Sequence, residues 1–547
     1  MGSARILRTL DADAPRIDAT AGRSSSSAPL LAFALGVFIV GVELMITAVA
    51  LPPILADLAD WTQLREASWI VNGYLVAYVA IIPLAGRAAD RYSVPLLFAG
   101  SLIVFAIGSL LAGAAQSLEW LIAARVMQGI GAGAVVPLAT AGASHLYGGR
   151  LRARAIGVVG AATFLGMAAG PFLGAAILQS IQVPGETLFG PSWRWVFYLA
   201  APLAALAALY MWAASPDWRA SQHAGANEPL DIIGAALFTA AVAAGLVALT
   251  LVGEADSVMI LGLAALAIVA LGLSLWRFSR ARAPFIDLRH FADRTFSGAV
   301  LLSLLTGYAL ATAIIGGAVF VDRVRYSGPD EQQLALGALA GSMAVGALLA
   351  GFVVRRLGVR LPSLLGLGLS IAGLLLLATL TPGSAIALLS GGLALFGFGF
   401  GLTVTARSTA AVEALGAAAF GVAAAGVTVA RMLGMGIGLA ALTVLGSNRI
   451  ESLSVVLVDQ AARDAVLPAA LQGRPLEDYL VVDALERWAA DQAAGILSVV
   501  FLVAAVVTAL AIVPTLAMRD RPGAARGSDQ EGSVDGVAEA SRAGLAI

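Results

Sequence analysis

One carboxylate and two guanidinium groups stand where charge is costly. Glu43 lies just past the middle of Leu30–Leu51, LLAFALGVFIVGVELMITAVAL, which is otherwise almost wholly apolar. Arg125 and Arg431 interrupt two more apolar stretches, Arg125-Val-Met-Gln128-Gly129-Ile-Gly131-Ala-Gly133 and Val-Ala-Arg431-Met-Leu-Gly434-Met-Gly436. A charge at the centre of a bilayer costs about 2.5–3.5 kcal/mol on insertion scales, so such residues face a bundle interior or a wet cavity. Burial sets a carboxyl's charged and neutral forms in closer balance, which makes Glu43 a candidate for taking up and releasing protons. Arg does not lose its proton in proteins, so Arg125 and Arg431 are fitted to bias a carboxylate or to hold an anion. Arg125 and Gln128, three residues apart, share one helix face. Arg431 is too central to snorkel. With Glu43 the deep carboxylate within reach, a Glu43–Arg431 contact that breaks when Glu43 is protonated is expected. Two plainer readings stand beside these: a permanent structural Glu–Arg pair, and an Arg125 that snorkels to the outer interface.

Other chemistry is poorly provided for. The chain has no Cys and three scattered His, so thiolate catalysis, disulfides and a thiolate or His-built metal site are not expected. It shows no nucleophile–base set and no phosphate loop, and neither an enzyme nor a cofactor is expected. A net charge of −1 argues against a nucleic-acid partner.

The elements that must position Glu43, Arg125 and Arg431 are membrane helices. Of the 547 residues 59% are hydrophobic and 12% charged, against about 25% charged in soluble domains. At 1.5 Å per residue the stretch around Glu43 spans about 33 Å, enough for a hydrocarbon core of about 30 Å. Hydropathy predicts an all-α integral membrane protein of fourteen spans: 29–52, 67–86, 94–115, 119–144, 153–180, 194–214, 231–252, 257–277, 296–320, 332–354, 361–380, 384–406, 417–446 and 493–517. An even count puts both termini on one side. Arg, the sole basic residue type apart from His, concentrates on that side, which is therefore cytoplasmic; Arg407 is assigned there, to the loop after span twelve.

The loop after span two, Gly86-Arg-Ala-Ala-Asp90-Arg91-Tyr-Ser-Val, is echoed after span ten by Gly351-Phe-Val-Val-Arg355-Arg356-Leu-Gly358-Val. Two six-helix bundles with two inserted linker helices are expected, an arrangement of parallel repeats known among transporters. The divisions are a disordered cytoplasmic tail (1–28), an N-terminal bundle (29–215), linker helices and connector (216–295), a C-terminal bundle (296–518) and a second disordered cytoplasmic tail (519–547). Residues 447–492 form an external insertion. Ile450–Asp464 and Tyr479–Asp491 mix apolar and charged residues at helical spacing, and Pro468, Gly473 and Pro475 break the pattern between them. The last two membrane helices should therefore continue outward as an amphipathic hairpin.

Smaller features complete the candidate site. Gly166, Gly170, Pro171 and Gly174 make a close-packing, bendable seam in span five. Asn72, Tyr74 and Tyr78 offer polar and aromatic lining in span two. Trp69 reads equally as an interfacial anchor. Gly86, Asp90 and Arg91 read as a clasp between bundles or, more plainly, as a helix turn with ordinary cytoplasmic charge.

These motifs resemble those of the major facilitator superfamily. Gly86–Val94 is similar to its loop signature between helices two and three, Arg125–Gly133 to its fourth-helix motif and Gly166–Gly174 to its antiporter motif. Glu43 with Ala50-Leu51-Pro52 resembles the first helix of fourteen-helix drug:proton antiporters, and Trp193-Arg194-Trp195-Val-Phe197 the family's entry to helix six. Ser93-Val94-Pro95 replaces the Gly and basic residues that usually end the loop signature, and Ala200 stands where Asn is frequent. Ser68-Trp69-Ile-Val-Asn-Gly-Tyr74 through Arg91, with the long external segment, is also similar to mycobacterial exporters of triacylglycerides and lipoglycans, which work with a periplasmic lipoprotein.

The resemblance implies alternating access, proton coupling through Glu43 and Arg125, and an interdomain clasp at Asp90 and Arg91. The expected function is proton-coupled export of hydrophobic or amphiphilic compounds, either drug-like molecules or lipids, by a monomer in the inner (plasma) membrane. The alternatives are a dedicated lipid exporter with a lipoprotein partner, and a membrane sensor or scaffold that transports nothing.

Overall fold

The computed structural model describes residues 27–58, 69–180, 191–214, 231–251, 256–281 and 284–520. The two tails expected to be disordered lie almost wholly outside them. Among the described residues there is no strand. The first six helices are α1 (Ala28–Leu58), α2 (Trp69–Ala89), α3 (Val94–Gly113), α4 (Leu118–Leu146), α5 (Gly149–Ser180) and α6 (Arg194–Ala214). Next come α7 (Ile232–Thr250) and α8 (Ser257–Arg280). The rest are α9 (Arg294–Val319), α10 (Pro329–Leu357), α11 (Arg360–Leu377), α12 (Ile386–Leu415), α13 (Phe420–Val458), α14 (Gln460–Val466), α15 (Tyr479–Leu510) and α16 (Ile512–Ala517). Thirteen helices among the described residues are long and apolar enough to cross a bilayer; α7 is apolar but shorter.

Side-chain oxygens set several helix starts by accepting orphan backbone N–H groups. Ser117 does this for α4, Asp231 for α7, Asp293 for α9 and Asp478 for α15. Inside the helices the side chains are mostly small and apolar, so neighbours approach closely.

The packing repeats itself. α1 lies on α5, α2 on α4, and α3 on α4 and α6. In the same order, α9 lies on α13, α10 on α12, and α11 on α12 and α15. The two sets meet where α2 touches α13 and where α5 touches α10. α7 and α8 pack on each other, and α7 also covers α2 and α13. Asp231, at the start of α7, accepts from Arg277 Nε of α8 at 2.5 Å, and Phe238, Phe278 and Phe285 cluster beside this pair. Much of α8 presents bare apolar side chains such as Val258, Leu261 and Ile268, as a lipid-facing helix does.

The last long helices outrun a bilayer. α13 has 39 residues and α15 has 32, about 58 and 48 Å at 1.5 Å per residue. Between them Leu467, Val481 and Leu485 form a small buried core, packed against Val466, Leu471 and Trp488. Gly473, at φ +73°, turns the chain, and its N–H donates to Asp464 Oδ1 at 2.9 Å. The segment between α13 and α15 thus folds back on itself around this small core. Val481→Asp puts an unpaired carboxylate into that core, at a cost of about 2 kcal/mol or more. Tryptic cleavage around Arg463 and Arg474 is expected to speed up at least about tenfold, since cleavage follows the opened population. An unchanged cleavage rate would mean that the hairpin core does not hold the segment.

Two expectations are corrected. α12 does not end at residue 406 but continues to Leu415, and Arg407, placed in a loop by its charge, is 1% exposed. Around it the Thr405 hydroxyl donates across to the Ala347 carbonyl of α10, and the Thr409 hydroxyl donates back to the Thr405 carbonyl. The start of the C-terminal tail is tied down as well. Asp520 Oδ1 accepts from the N–H groups of Val359 and Arg360, at 2.7 and 3.1 Å, at the α10–α11 turn.

Candidate functional site

Backbone contact fixes the helix that carries Glu43. A Cβ on Gly170 would stand 2.7 Å from the Val42 carbonyl, and one on Gly174 would stand 2.9 Å from Ile46. Gly166 faces Phe38 in the same way. The glycine seam of α5 is therefore a bed for α1 on both sides of Glu43. Pro171 lies inside α5 along this bed. Gly129 and Gly133 do the same for α4 against α2, at the backbones of Tyr74 and Tyr78.

Held in this way, Glu43 and Arg125 meet. Arg125 Nη1 lies 2.5 Å from Glu43 Oε1, and each residue is 1% exposed. The pair has further polar and aromatic partners. Thr47 donates to Glu43 Oε1 at 3.3 Å. Arg125 also donates to Gln128 Oε1 and, through Nε, to the Ile70 carbonyl at 3.2 Å. Gln128 in turn donates to Ser109 Oγ at 2.7 Å. The guanidinium lies 4.2 Å from the Tyr74 ring centre and 5.6 Å from that of Phe197, within cation–π range. A sealed pair of this kind is stable only while both charges are present, because removing one strands the other.

The expected Glu43–Arg431 contact is absent. Arg125 occupies the Glu43 carboxylate from the same helix set, and Arg125 is enclosed, so it does not snorkel. Arg431 stands on α13, where its backbone packs against Gly307 of α9. Tyr78 is 6.0 Å ring to ring from Tyr74, and the Tyr74 hydroxyl is buried without a hydrogen-bond partner. Asn72 is partly buried on α2.

The second cluster seals the ends of α2 and α13. Gly86 lets α2 press on the backbone of Gly421. Asp90 Oδ1 and Oδ2 accept from the N–H groups of Gly421 and Val422, at 2.5 and 2.9 Å, at the start of α13. Arg91 follows at the same turn. Nearby, Phe420 lies 4.9 Å from His145 and 4.8 Å from Arg152. Across the other seam a Cβ on Gly351 would stand 2.9 Å from the Ala153 carbonyl. The structure is shut at this end.

Burial pushes the Asp90 carboxyl up to about 7, against the pull of the two N–H donors and of Arg87. A carboxyl titrating at about 7 in the closed clasp and in the usual range when released binds its proton more tightly when closed. Closure therefore gains on acidification, is fully supported below the usual range, and loses this support as pH rises through about 7, by up to tenfold per pH unit. Spin-label distances between the ends of α2 and α13 are expected to lengthen between pH 6 and 8 in the wild type and to stay constant in Asp90→Asn. The same pH response in both proteins would exclude Asp90 as its source.

Two apolar cavities flank α2. One of about 200 Å³ lies under α7, lined by Pro83, Phe238, Val429, Ala430 and Leu433 among others. One of about 390 Å³ is bordered by Trp69, Gly73, Ile122, Val126 and Thr239. Trp69 thus lines a groove between α2 and α4.

Sequence reasoning missed Arg407. It donates to Thr306 on α9 and lies 5.1 Å from the Phe400 ring centre. The signal was present: Phe400, Thr403 and Arg407 recur at helical spacing, on the face that α12 buries. It also missed the Asp57 carboxylate, which accepts from Trp193 Nε1 at 3.1 Å and ties α1 to α6.

Comparison with known proteins follows the same lines. The profile described as Major Facilitator Superfamily matches residues 33–439. A triacylglyceride transporter of Mycolicibacterium smegmatis is 31% identical over 470 residues, 83% of this chain and 81% of that one. Multidrug resistance protein 3 of Bacillus subtilis is 27% identical, over 91% of this chain and 96% of that one. Among solved structures, a bacterial homolog of the human lysosomal transporter Spinster, in an inward-facing and unoccupied conformation, superposes with a TM-score of 0.55 at 19% identity, covering 92% of this chain and 100% of that one.

Proposed function

The chain belongs to the major facilitator superfamily, and from that premise we propose that it is a proton-coupled exporter of hydrophobic or amphiphilic compounds. The observation that carries this reading is the sealed Glu43–Arg125 pair. Protonating Glu43 removes the negative charge and leaves Arg125 buried without its counter-charge, which that arrangement does not tolerate. Proton uptake is therefore coupled to rearrangement of α1 against α4 and α2. Because α2 also carries the Asp90 clasp, the same movement loosens the shut end.

In this reading fourteen helices cross the inner (plasma) membrane. The bundles are residues 29–215 and 296–518, the inserted helices lie in 216–295, and both termini are cytoplasmic. The shut end is then the cytoplasmic one, and the structure stands in the half of the cycle that faces outward. The protein works as a monomer.

The lipid reading has observations of its own. A relative 31% identical is a triacylglyceride transporter, the cavities beside α2 are apolar, and the hairpin beyond α13 and α15 is ordered. We propose lipids as the substrate class within amphiphile export, with the hairpin guiding the lipid towards a periplasmic lipoprotein. The test is proton flux and substrate movement in proteoliposomes under an imposed pH gradient, with labelled acylglycerols and with a cationic dye. Gradient-dependent movement of the acylglycerol alone supports the lipid reading; movement of the dye alone replaces it with drug export.

A further inference from the structure

We propose that Arg152 and Arg154 of α5 form a two-armed cation–π clamp that holds the two helix sets together at the shut end, alongside the Asp90 clasp. The inference rests on the alternating-access part of the exporter reading and names a gate that such a cycle must open. One arm crosses to α13. The Arg152 guanidinium lies 4.8 Å from the Phe420 ring centre. Its Nε donates to the Ser144 carbonyl of α4 at 3.2 Å, which steadies the plane of the guanidinium. The other arm crosses to α10, where the Arg154 guanidinium lies 4.6 Å from the Phe352 ring centre. Both distances are within cation–π range.

The local sequence explains why one short stretch reaches both ways. Arg152-Ala153-Arg154 lies at the start of α5. Residues two apart on a helix point about 200° from one another at 3.6 residues per turn, so the two side chains leave α5 on opposite sides. Ala153, between them, is buried. A Cβ on Gly351 of α10 would stand 2.9 Å from the Ala153 carbonyl and 3.0 Å from Arg154 Cα. Backbone contact thus brings Phe352, the next residue, to Arg154. A cation in the first turn of a helix opposes its dipole, so α5 itself does not favour Arg152 there. The plain reading of both arginines is ordinary cytoplasmic charge, which asks only for guanidinium groups in water. Here both residues are partly buried, and each lies over an aromatic ring of the other helix set.

The two arms differ in strength. Phe420 is 2% exposed, and the His145 ring of α4 lies 4.9 Å from it. Phe420 directly precedes Gly421 and Val422, whose N–H groups donate to Asp90. Three successive residues at the start of α13 thus dock on the first helix set, one by its ring and two by their backbone. Phe352 is 49% exposed and stands at the rim. A desolvated cation–π contact is worth more than an exposed one, so the α13 arm is the stronger. Asp90 ties α2 to α13. The clamp adds α5 and α10, so both seams at this end are held.

The test measures closure directly. The chain has no Cys, so Tyr92→Cys after α2 and Leu357→Cys at the end of α10, both exposed and on different helix sets, carry a single spin-label pair. Double electron–electron resonance then reads the ratio of open to shut distances in the purified full-length protein, without substrate or gradient. That ratio is expected to rise about tenfold or more in Arg152→Gln and in Phe420→Leu, and about threefold in Arg154→Gln, the scales of desolvated and exposed cation–π contacts. Arg152→Gln and Phe420→Leu together should rise no further than the larger single effect, since they remove one contact. Phe420→Trp should keep the wild-type ratio, and its contrast with Phe420→Leu carries the test if Arg152→Gln fails to fold. A Leu at 420 that holds the end as well as Phe, or strictly additive effects of the pair, overturns the clamp and leaves an apolar plug beside ordinary charge. An unchanged ratio in Arg154→Gln overturns the α10 arm. Opening in Arg152→Gln in a protein that exports nothing would keep the clamp and sink the exporter reading, whereas gradient-driven export with every variant as shut as the wild type would do the reverse.

Discussion

Glu43→Gln is expected to reduce proton-driven export at least about a hundredfold, the lower end of what a positioned acid–base group contributes, while exchange of substrate across the membrane without net proton movement persists. Gln keeps the length and hydrogen-bonding capacity of Glu43, and Thr47 still has an oxygen to which it can donate. What is lost is the exchangeable charge facing Arg125 at 2.5 Å. The split between the two assays matters. A variant that fails in both has lost its fold or its substrate site, whereas one that exchanges but does not pump has lost coupling. The readout is initial rate in proteoliposomes, with and without a pH gradient. Pumping at the wild-type rate would remove Glu43 from the mechanism and would favour the reading of a purely structural pair.

Arg125→Ala is expected to be the most destabilising single change in the first helix set. Breaking one side of a buried ion pair costs about 3–5 kcal/mol, because the remaining charge stays out of water. Here the loss extends to Gln128, the Ile70 carbonyl and the Tyr74 ring, all of which Arg125 touches. Most of the cost comes from the stranded Glu43, so Glu43→Gln in the same chain should restore much of the thermal stability measured in detergent. A cycle of the two single variants and the double variant isolates that coupling. Strictly additive losses would mean that the pair is not an energetic unit.

The sequence revealed the parts whose signal is local. Hydropathy located the long helices, and the rarity of charge in apolar stretches singled out Glu43, Arg125 and Arg431. Helical spacing suggested the hairpin; the small core of Leu467, Val481 and Leu485 was not read from the sequence. Partnership was less legible, because it depends on packing between distant helices. Arg431 looked like the partner of Glu43 since both sit centrally in their helices. The glycine bed beneath α1 and the close approach of α4 to α2 bring Arg125 there first. Arg407 escaped notice for a related reason. A charge near a hydropathy boundary reads as the start of a loop, whereas α12 runs on to Leu415 and buries Arg407 against Thr306 of α9. Asp90 read either as part of a clasp between bundles or as a turn residue, but its donors were not legible. Its acceptance of two N–H groups from α13 joins residues more than three hundred positions apart, which no local pattern records.

The central claim is that Glu43 gains and loses a proton while its partner stays charged. Infrared difference spectra of the purified protein across an acid titration test this most directly, through the C=O stretch of protonated carboxyl groups. The account predicts a band that grows on acidification in the wild type, is missing in Glu43→Gln, and is altered in Arg125→Lys because the partner's geometry has changed. Identical difference spectra for the wild type and Glu43→Gln would show that Glu43 does not titrate, and proton coupling would have to be sought elsewhere in the molecule.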